Sequence, residues 1–224
     1  MKDILTGKSQ RHLTPGFGGF LFETQTALAI ERLAKRAELN GFELGIVSSY
    51  RDYEKQKNIW NTKAQGKRVL LDDHGTPLDY QQLSPDEIVA AIMRWSAFPG
   101  ASRHHWGTDL DVFDRSAVSE DYQVQLTPDE VDGVFSPFYM WLEGMIAADD
   151  CEGFIRPYEI DRGGVAPEAW HLSFTPSAKK YENYYSLDFF LSHLKECHDV
   201  KFVDIVLARG EEIYERFIKS AFSI

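Results

Sequence analysis

The sequence is poor in cysteine, with only Cys151 and Cys197 among 224 residues. Two thiols cannot build a disulfide framework or a thiolate zinc site, and a single bridge between them is the most they allow. Basic residues are also in deficit, 24 Lys and Arg against 35 Asp and Glu, for a net charge of −11. That balance repels phosphate backbones and anionic lipid, so nucleic acid is not expected as a partner. No window reaches the roughly 18 apolar residues of a membrane helix, so no membrane insertion is expected. Met1 to Gly7 lacks an apolar run of signal-peptide length. As written, the chain is expected in the cytoplasm, or in the periplasm or cell wall if a leader has been removed. The patterns H-E-x-x-H, G-x-S-x-G, C-x-x-C and the Walker A loop are all missing, which leaves helical zinc proteases, serine hydrolases, dithiol enzymes and P-loop NTPases without support.

What remains is an ordinary globular composition, 43% hydrophobic and 26% charged. No repeat and no Pro/Gly/Ser linker divides the chain, so residues 1–224 read as one domain with a core of ample size. Leu28, Ala29, Leu33, Ala34 and Ala37 recur at helical spacing between Glu23 and Leu39, and Asn40-Gly41 supplies a stop. Phe42 to Ser48 reads as a strand, and Asp52 to Asn61 as a helix. Residues 62–84 are polar and predict a small surface hairpin. Ser84-Pro85-Asp86-Glu87 combines an N-cap, a first-turn proline and a reciprocal Glu, opening a helix to about Phe98, and Thr127-Pro128-Asp129-Glu130 repeats the device. A helix over Pro137 to Ala148 precedes short strands at Phe154–Arg156 and Trp170–Phe174. From Leu187 to Ile224 the spacing of Phe189, Phe190, Leu194, Ile213, Tyr214, Phe217 and Ile218 predicts a helical extension. The expected fold is α+β, a small antiparallel sheet flanked by helices.

Histidines 12, 74, 193 and 198 lie in contexts that read as solvated surface or turn. The segment Ser102-Arg103-His104-His105-Trp106-Gly107-Thr108-Asp109-Leu110-Asp111 is different. His104 and Asp111 would be about 23 Å apart on a straight strand and about 10 Å apart on a straight helix. Side chains that share a zinc ion must bring atoms to about 2 Å from it, so the chain has to fold back, and Gly107 permits the backbone conformation required. Thr108 to Phe113 alternates, placing Asp109, Asp111 and Phe113 on one face of a half-buried strand. In Pro167-Glu168-Ala169-Trp170-His171-Leu172-Ser173-Phe174, the large apolar residues alternate with His171, which then faces the site. Glu168 lies at odd spacing from His171 and must project from the irregular start after Pro167. Two His and one Asp, an open fourth position and a neighbouring Glu form the pattern of a catalytic zinc site; a structural site would be closed. An isolated His–Asp pair would read instead as a structural hydrogen bond.

Ser102-x-His104-x-x-Gly107-x-x-x-Asp111 with Glu168-x-Trp170-His171 resembles the VanY-type D-alanyl-D-alanine carboxypeptidases. Their relatives include VanX dipeptidases, certain phage endolysin peptidases and the amino-terminal Hedgehog domain. Ser48 and the run Ser49 to Gln56, with Tyr50-Arg51 inside it, are similar to the family's S-x-Y-R-x-x-x-x-Q element, and the resemblance spans about residues 42–175. It implies one Zn²⁺ per chain held by His104, Asp111 and His171. Glu168 would take a proton from zinc-bound water as it attacks and return it to the leaving amine. Arg51 would meet the substrate carboxylate or the developing oxyanion. Ser102 and Gln56 would bind substrate or support Arg51, while Tyr50 and Trp170 read as core. The chain departs from the family at Asp109, where a small residue, commonly Ala, is usual, and at His105-Trp106. Asp109 could bind a substrate amine, support another site group or be solvated at the strand edge. The implied reaction is removal of the C-terminal D-alanine from peptidoglycan stem peptides or muropeptides, D,D- or L,D-linked. Alternatives are a cell-wall endopeptidase, a D-Ala-D-Ala dipeptidase or a non-catalytic zinc-binding interaction module. The intact Glu168 argues against the module.

Overall fold

The computed structural model describes residues 1–222. A short helix α1 (Lys2–Leu5) leads into a two-stranded hairpin, β1 (Leu13–Pro15) with β2 (Leu21–Glu23), which the sequence did not announce. Its strands are only three residues long, too short for an alternation to be read. Glu23 then caps α2 (Thr24–Leu39), its carboxylate accepting from the backbone N–H of Gln25 and Thr26. The buried stripe of α2 is Ala27, Ala29, Ile30, Leu33 and Ala37, which includes the expected Ala29, Leu33 and Ala37; Leu28, also expected in it, is 54% exposed. The apolar face is thus centred as the sequence reading had it, with Ala27 and Ile30 in place of Leu28 at its edge.

Strand β3 (Leu44–Ser48) and helix α3 (Tyr53–Ala64) follow, and α4 (Pro85–Trp95) opens on the expected Ser84–Glu87 capping box. Helix α4 stops three residues before the expected end because Ser96 is extended, and Phe98 inserts, wholly buried, against Trp60 and Phe190. The predicted hairpin over 62–84 reduces to one antiparallel bridge, Leu71 with Pro77. Asp72 closes its turn by accepting from the N–H of His74 and Thr76. Strand β4 (Asp109–Asp114), helices α5 (Pro128–Asp132) and α6 (Ser136–Ala147), and strands β5 (Phe154–Ile155) and β6 (His171–Phe174) complete the central layer.

The sheet is antiparallel throughout in the order β3-β4-β6-β5, which agrees with the expected α+β class. Expected to be half-buried, β4 is buried at all six positions. Helix α6 packs Phe138 and Leu142 into the sheet core, and the Tyr139 hydroxyl donates to the Val112 carbonyl. Register matters for function: Asp111 pairs directly with His171, and a bulge between Ile46 and Ser48 brings Ser48 opposite Asp111 on the other side.

Beyond the sheet come α7 (Thr175–Glu182), α8 (Leu187–Leu194), α9 (Val203–Ala208) and α10 (Gly210–Ile213), with helical turns continuing to Ala221. This helical region forms a second apolar core with α3 and α4, around Trp60, Ile92, Phe190 and Ile213. Cys151 belongs to the sheet core and Cys197 to the helical one; both are buried free thiols, so the bridge that composition allowed is not made. His193, read as surface, is fully buried with Nε2 at 2.8 Å from the Pro99 carbonyl, and His12 is half-buried against Trp106. Histidine spacing alone carries no sign of burial when its partners are distant carbonyls.

Candidate metal centre and substrate cleft

The reversal between His104 and Asp111 is made as the spacing required. Arg103–Trp106 form a 3₁₀ turn that ends at Gly107 with φ +69° and ψ 14°. A β-carbon at Gly107 would lie 2.5 Å from a Leu13 methyl and 2.8 Å from the Glu23 nitrogen, so both backbone conformation and space demand glycine. The turn delivers His104 beside β4, where Asp111 and its cross-strand partner His171 already face each other.

His104 Nδ1 lies 2.8 Å from the Ser49 carbonyl, which leaves Nε2 facing Asp111 Oδ2 at 3.3 Å. His171 Nδ1 is 3.2 Å from Asp111 Oδ1 and 3.4 Å from Glu168 Oε2. One ligand atom from each of His104, Asp111 and His171 falls within 4.8 Å of the others, and all three residues are buried. Two imidazole nitrogens and a carboxylate oxygen at that spacing fit an ion about 2 Å from each, and they are donors zinc accepts. Burial opposes the Asp111 charge, but the His104 and His171 rings beside it outweigh burial and hold its carboxyl below the ordinary range. His171 is raised in turn: burial acts to lower it, and Asp109, Asp111 and Glu168 together prevail.

Glu168 precedes β6 in an irregular segment, its N–H donating to the Tyr158 carbonyl and its own carbonyl accepting from the His171 N–H. It therefore reaches the site from outside the strand, as its odd spacing required. Arg51 donates to Gln56 Oε1 and to Ser48 Oγ, each at 2.9 Å, and stands 3.8 Å from Asp111 Oδ2. Burial lowers its pKa, with Asp111 and Glu168 opposing. Gln56 is wholly buried, and its amide also donates to the Ala97 carbonyl at 2.7 Å. Of the two roles open to Gln56, support of Arg51 is the one its contacts describe. Ser102 lies in the cleft wall; Trp170, read as core, is buried in the sheet core and also borders the cleft.

Asp109 requires a correction. It is not solvated at a strand edge but 0% exposed, lying behind His171: Oδ1 is 3.1 Å from His171 Nε2 and 2.7 Å from Arg103 Nε, and Oδ2 accepts from Thr108 Oγ1 at 2.6 Å. Both oxygens are engaged, and Asp109 does not line the cleft, so a substrate amine has no route to it. Arg103 is equally buried. It donates further to Glu182 Oε1, Ser173 Oγ and the Ala221 carbonyl, at 2.8, 2.7 and 3.1 Å. Against burial, Arg103 and His171 keep the Asp109 carboxyl below its ordinary range. This carboxylate fixes the His171 ring so that Nδ1 turns toward the site, an arrangement characteristic of metal-bound histidine.

The other departure from the family motif is structural too. His105 is fully buried, with Nδ1 2.6 Å from the Arg51 carbonyl and Nε2 accepting from the Gly100 N–H at 3.0 Å. Burial brings its pKa down to about 3, so it is neutral and braces the main chain of Arg51. Trp106 stacks on Tyr181 and donates to the Leu5 carbonyl.

The site opens into a cleft of about 410 Å³ lined by Arg51, Ser102, His104, Asp111, Glu168 and His171, and also by Lys63, Arg68 and Tyr158. Sequence reasoning did not find the last three. The Tyr158 ring meets His171 edge-on at 4.9 Å, and burial pushes its hydroxyl up to about 12. Arg103 was also missed, since it occupies an unspecified position of the motif; a signal existed in its coincidence with an acid at the usually small position 109.

Residues 20–177 match the VanY family, D-alanyl-D-alanine carboxypeptidase. An uncharacterised Haemophilus influenzae protein is 42% identical over 99 residues, 42% of this chain and 68% of that protein. A second from the same organism is 28% identical over 122 residues, 53% and 90% of the two chains. Among solved structures, the fold is similar to VanYB in complex with D-alanine-D-alanine, at TM-score 0.53 and 22% identity over 80% of this chain and 87% of that one. It is also similar to a mutant of the D,D-pentapeptidase VanY in complex with Zn(II), at 0.52 and 23% over 80% and 90%. The LD-carboxypeptidase LdcB gives 0.52 and 19% over 92% and 78%.

Proposed function

The chain belongs to the VanY D-alanyl-D-alanine carboxypeptidase family, and from that membership and the geometry of its site we propose that it is a zinc-dependent carboxypeptidase releasing the C-terminal D-alanine of peptidoglycan stem peptides. The observation that carries the reading is the convergence of His104, Asp111 and His171 with Glu168 at 3.4 Å from His171, in the cleft that Arg51 also lines. Relatives bound to D-alanine-D-alanine and to Zn(II) support it.

His104 Nε2, an oxygen of Asp111 and His171 Nδ1 would hold the metal, which when bound polarises the scissile carbonyl and makes water acidic enough to attack near neutral pH. Glu168, close to the ligands yet outside the triad, would take the proton of the attacking water and return it to the departing amine. Arg51 cannot wander: Ser48 and Gln56 hold its guanidinium from two sides, and its remaining N–H groups are left for a carboxylate. A free peptide C terminus is the anion a carboxypeptidase must recognise. The deciding experiment compares a stem peptide ending in D-Ala-D-Ala with the same peptide amidated at its C terminus, with products identified by mass. Release of D-alanine from the free acid alone is expected. Equal rates on both would reject the carboxypeptidase in favour of an endopeptidase, and cleavage confined to free D-Ala-D-Ala would favour a dipeptidase.

A further inference from the structure

Two cations in the cleft have no part in this chemistry. Lys63 and Arg68 line it together with Arg51 and Glu168. On α3, Gln56, Ile59 and Lys63 follow one another at spacings of three and four residues and so share a face. The helix that supports Arg51 at its start therefore lays Ile59 and Lys63 along the cleft, and Arg68 follows just beyond its end. Many cations elsewhere in this acidic chain meet a carboxylate, as Lys2, Arg36, Lys57 and Arg94 do. Lys63 instead donates to Ser96 Oγ at 2.7 Å, and among the described residues neither Lys63 nor Arg68 forms an ion pair. Burial lowers the Lys63 ammonium to about 8, and the like charges of Arg68 and Arg51 act in the same sense. Glu168 across the cleft offsets part of that repulsion without pairing with either cation, and a negative group between Lys63 and Arg68 would relieve the rest.

Building on the carboxypeptidase reading, we infer that Lys63 and Arg68 form a subsite for a second carboxylate of the substrate, distinct from the terminal carboxylate at Arg51. From Gln56, which holds the Arg51 guanidinium, to Lys63 the helix rises about 10 Å, the span of about three residues of extended peptide. The preferred substrates are thus peptides that carry a free carboxylate about three residues before the C terminus; peptides with an amide or an amine at that place are disfavoured.

The test uses two peptides ending in D-Ala-D-Ala that differ only in whether the carboxylate at that place is free or amidated. Binding is measured by calorimetry to the zinc-loaded full chain carrying Glu168→Gln, and D-alanine release is measured with the wild type. Amidation should weaken binding roughly ten- to a hundred-fold, the range of a charge-assisted contact. Adding Lys63→Met with Arg68→Gln should bring the ratio between the two peptides to about one. Arg68 is exposed, so Arg68→Glu alone carries little risk to folding and should reduce the ratio as well. Equal affinities for the two peptides, or a ratio unmoved by Arg68→Glu, would overturn the subsite while leaving the carboxypeptidase reading intact. Discrimination in binding without D-alanine release from either peptide would overturn the carboxypeptidase reading and leave the subsite standing.

Discussion

Replacement of Asp109 tests whether the buried layer behind the zinc ligands sets metal affinity. Asp109→Ala is a blunt instrument. It leaves Arg103, 4% exposed, with Glu182 as its remaining acid, and breaking a buried pair costs about 3–5 kcal/mol, a large part of the roughly 5–15 kcal/mol that stabilises a domain. Asp109→Asn separates the effects. An amide of the same shape keeps an oxygen at the Oδ1 position for His171 Nε2 and Arg103 Nε, and its NH₂ can donate to Thr108 Oγ1, whose hydroxyl can turn to accept. What is lost is the negative charge that makes His171 a stronger donor to metal. Loss of such an outer partner weakens metal binding about 10- to 100-fold, equivalent to about 1.4–2.7 kcal/mol. The assay is competition for zinc against a chromogenic chelator at fixed pH, with the denaturation midpoint of the metal-free protein measured alongside. A folded Asp109→Asn protein that binds zinc within about two-fold of the wild type would refute the reasoning, because β6 alone would then suffice to aim His171.

Glu168→Gln should retain zinc yet lower turnover by a factor on the order of 10² to 10⁴, as expected for loss of a general acid–base group, and metal analysis beside steady-state rates checks both halves. Arg51→Lys should bind the free-acid peptide more weakly, since an ammonium that gives Ser48 and Gln56 one donor each has only one left and cannot meet both carboxylate oxygens; calorimetry on the Glu168→Gln background reads this directly. Gly107→Ala should be strongly destabilising, measured by urea unfolding, because a β-carbon meets Leu13 and the Glu23 backbone at a left-handed position. Burial keeps the pKa of His193 lowered in the folded state, whereas in the unfolded chain it binds a proton near its ordinary value, about 6.5. Stability should therefore be lost as pH falls below about 6.5, by at most about 1.4 kcal/mol per pH unit from this group, and His193→Gln should show a shallower loss between pH 6.5 and 5.

Much of the site was legible because its chemistry is local in sequence. The seven-residue interval from His104 to Asp111 could serve one ion only if the chain reversed, and Gly107 marked where. The odd spacing of Glu168 and His171 likewise required Glu168 to lie off the strand, and it does. Capping boxes at Ser84 and Thr127 fixed two helix starts to the residue. The misses share a different cause. Leu28 faces solvent because the tertiary partner of α2 decides which side of a broad apolar face is buried. His193 is buried by a carbonyl 94 residues away, and the cleft cations depend on where α3 comes to lie against Ser96. No local pattern encodes such distances.

Arg103 and Asp109 show where the two kinds of information meet. An acid at a position that is usually small, six residues after an arginine, marks a local departure whose meaning lies elsewhere in the chain: Arg103 can be buried because Glu182, Ser173 and the Ala221 carbonyl receive its remaining donors. Glu182 and Ala221 lie beyond residue 177, where the family match ends. The helical extension therefore does more than cover apolar surface. Its last turns hold the arginine that holds the carboxylate that aims His171. A change at Glu182 should accordingly be felt at His171 through two intermediates, Arg103 and Asp109, and Glu182→Gln should reduce zinc affinity less than Asp109→Asn does. If it reduced affinity more, Arg103 would be acting on the site by a route other than Asp109, such as its 5.0 Å approach to the Trp106 ring within the turn that presents His104.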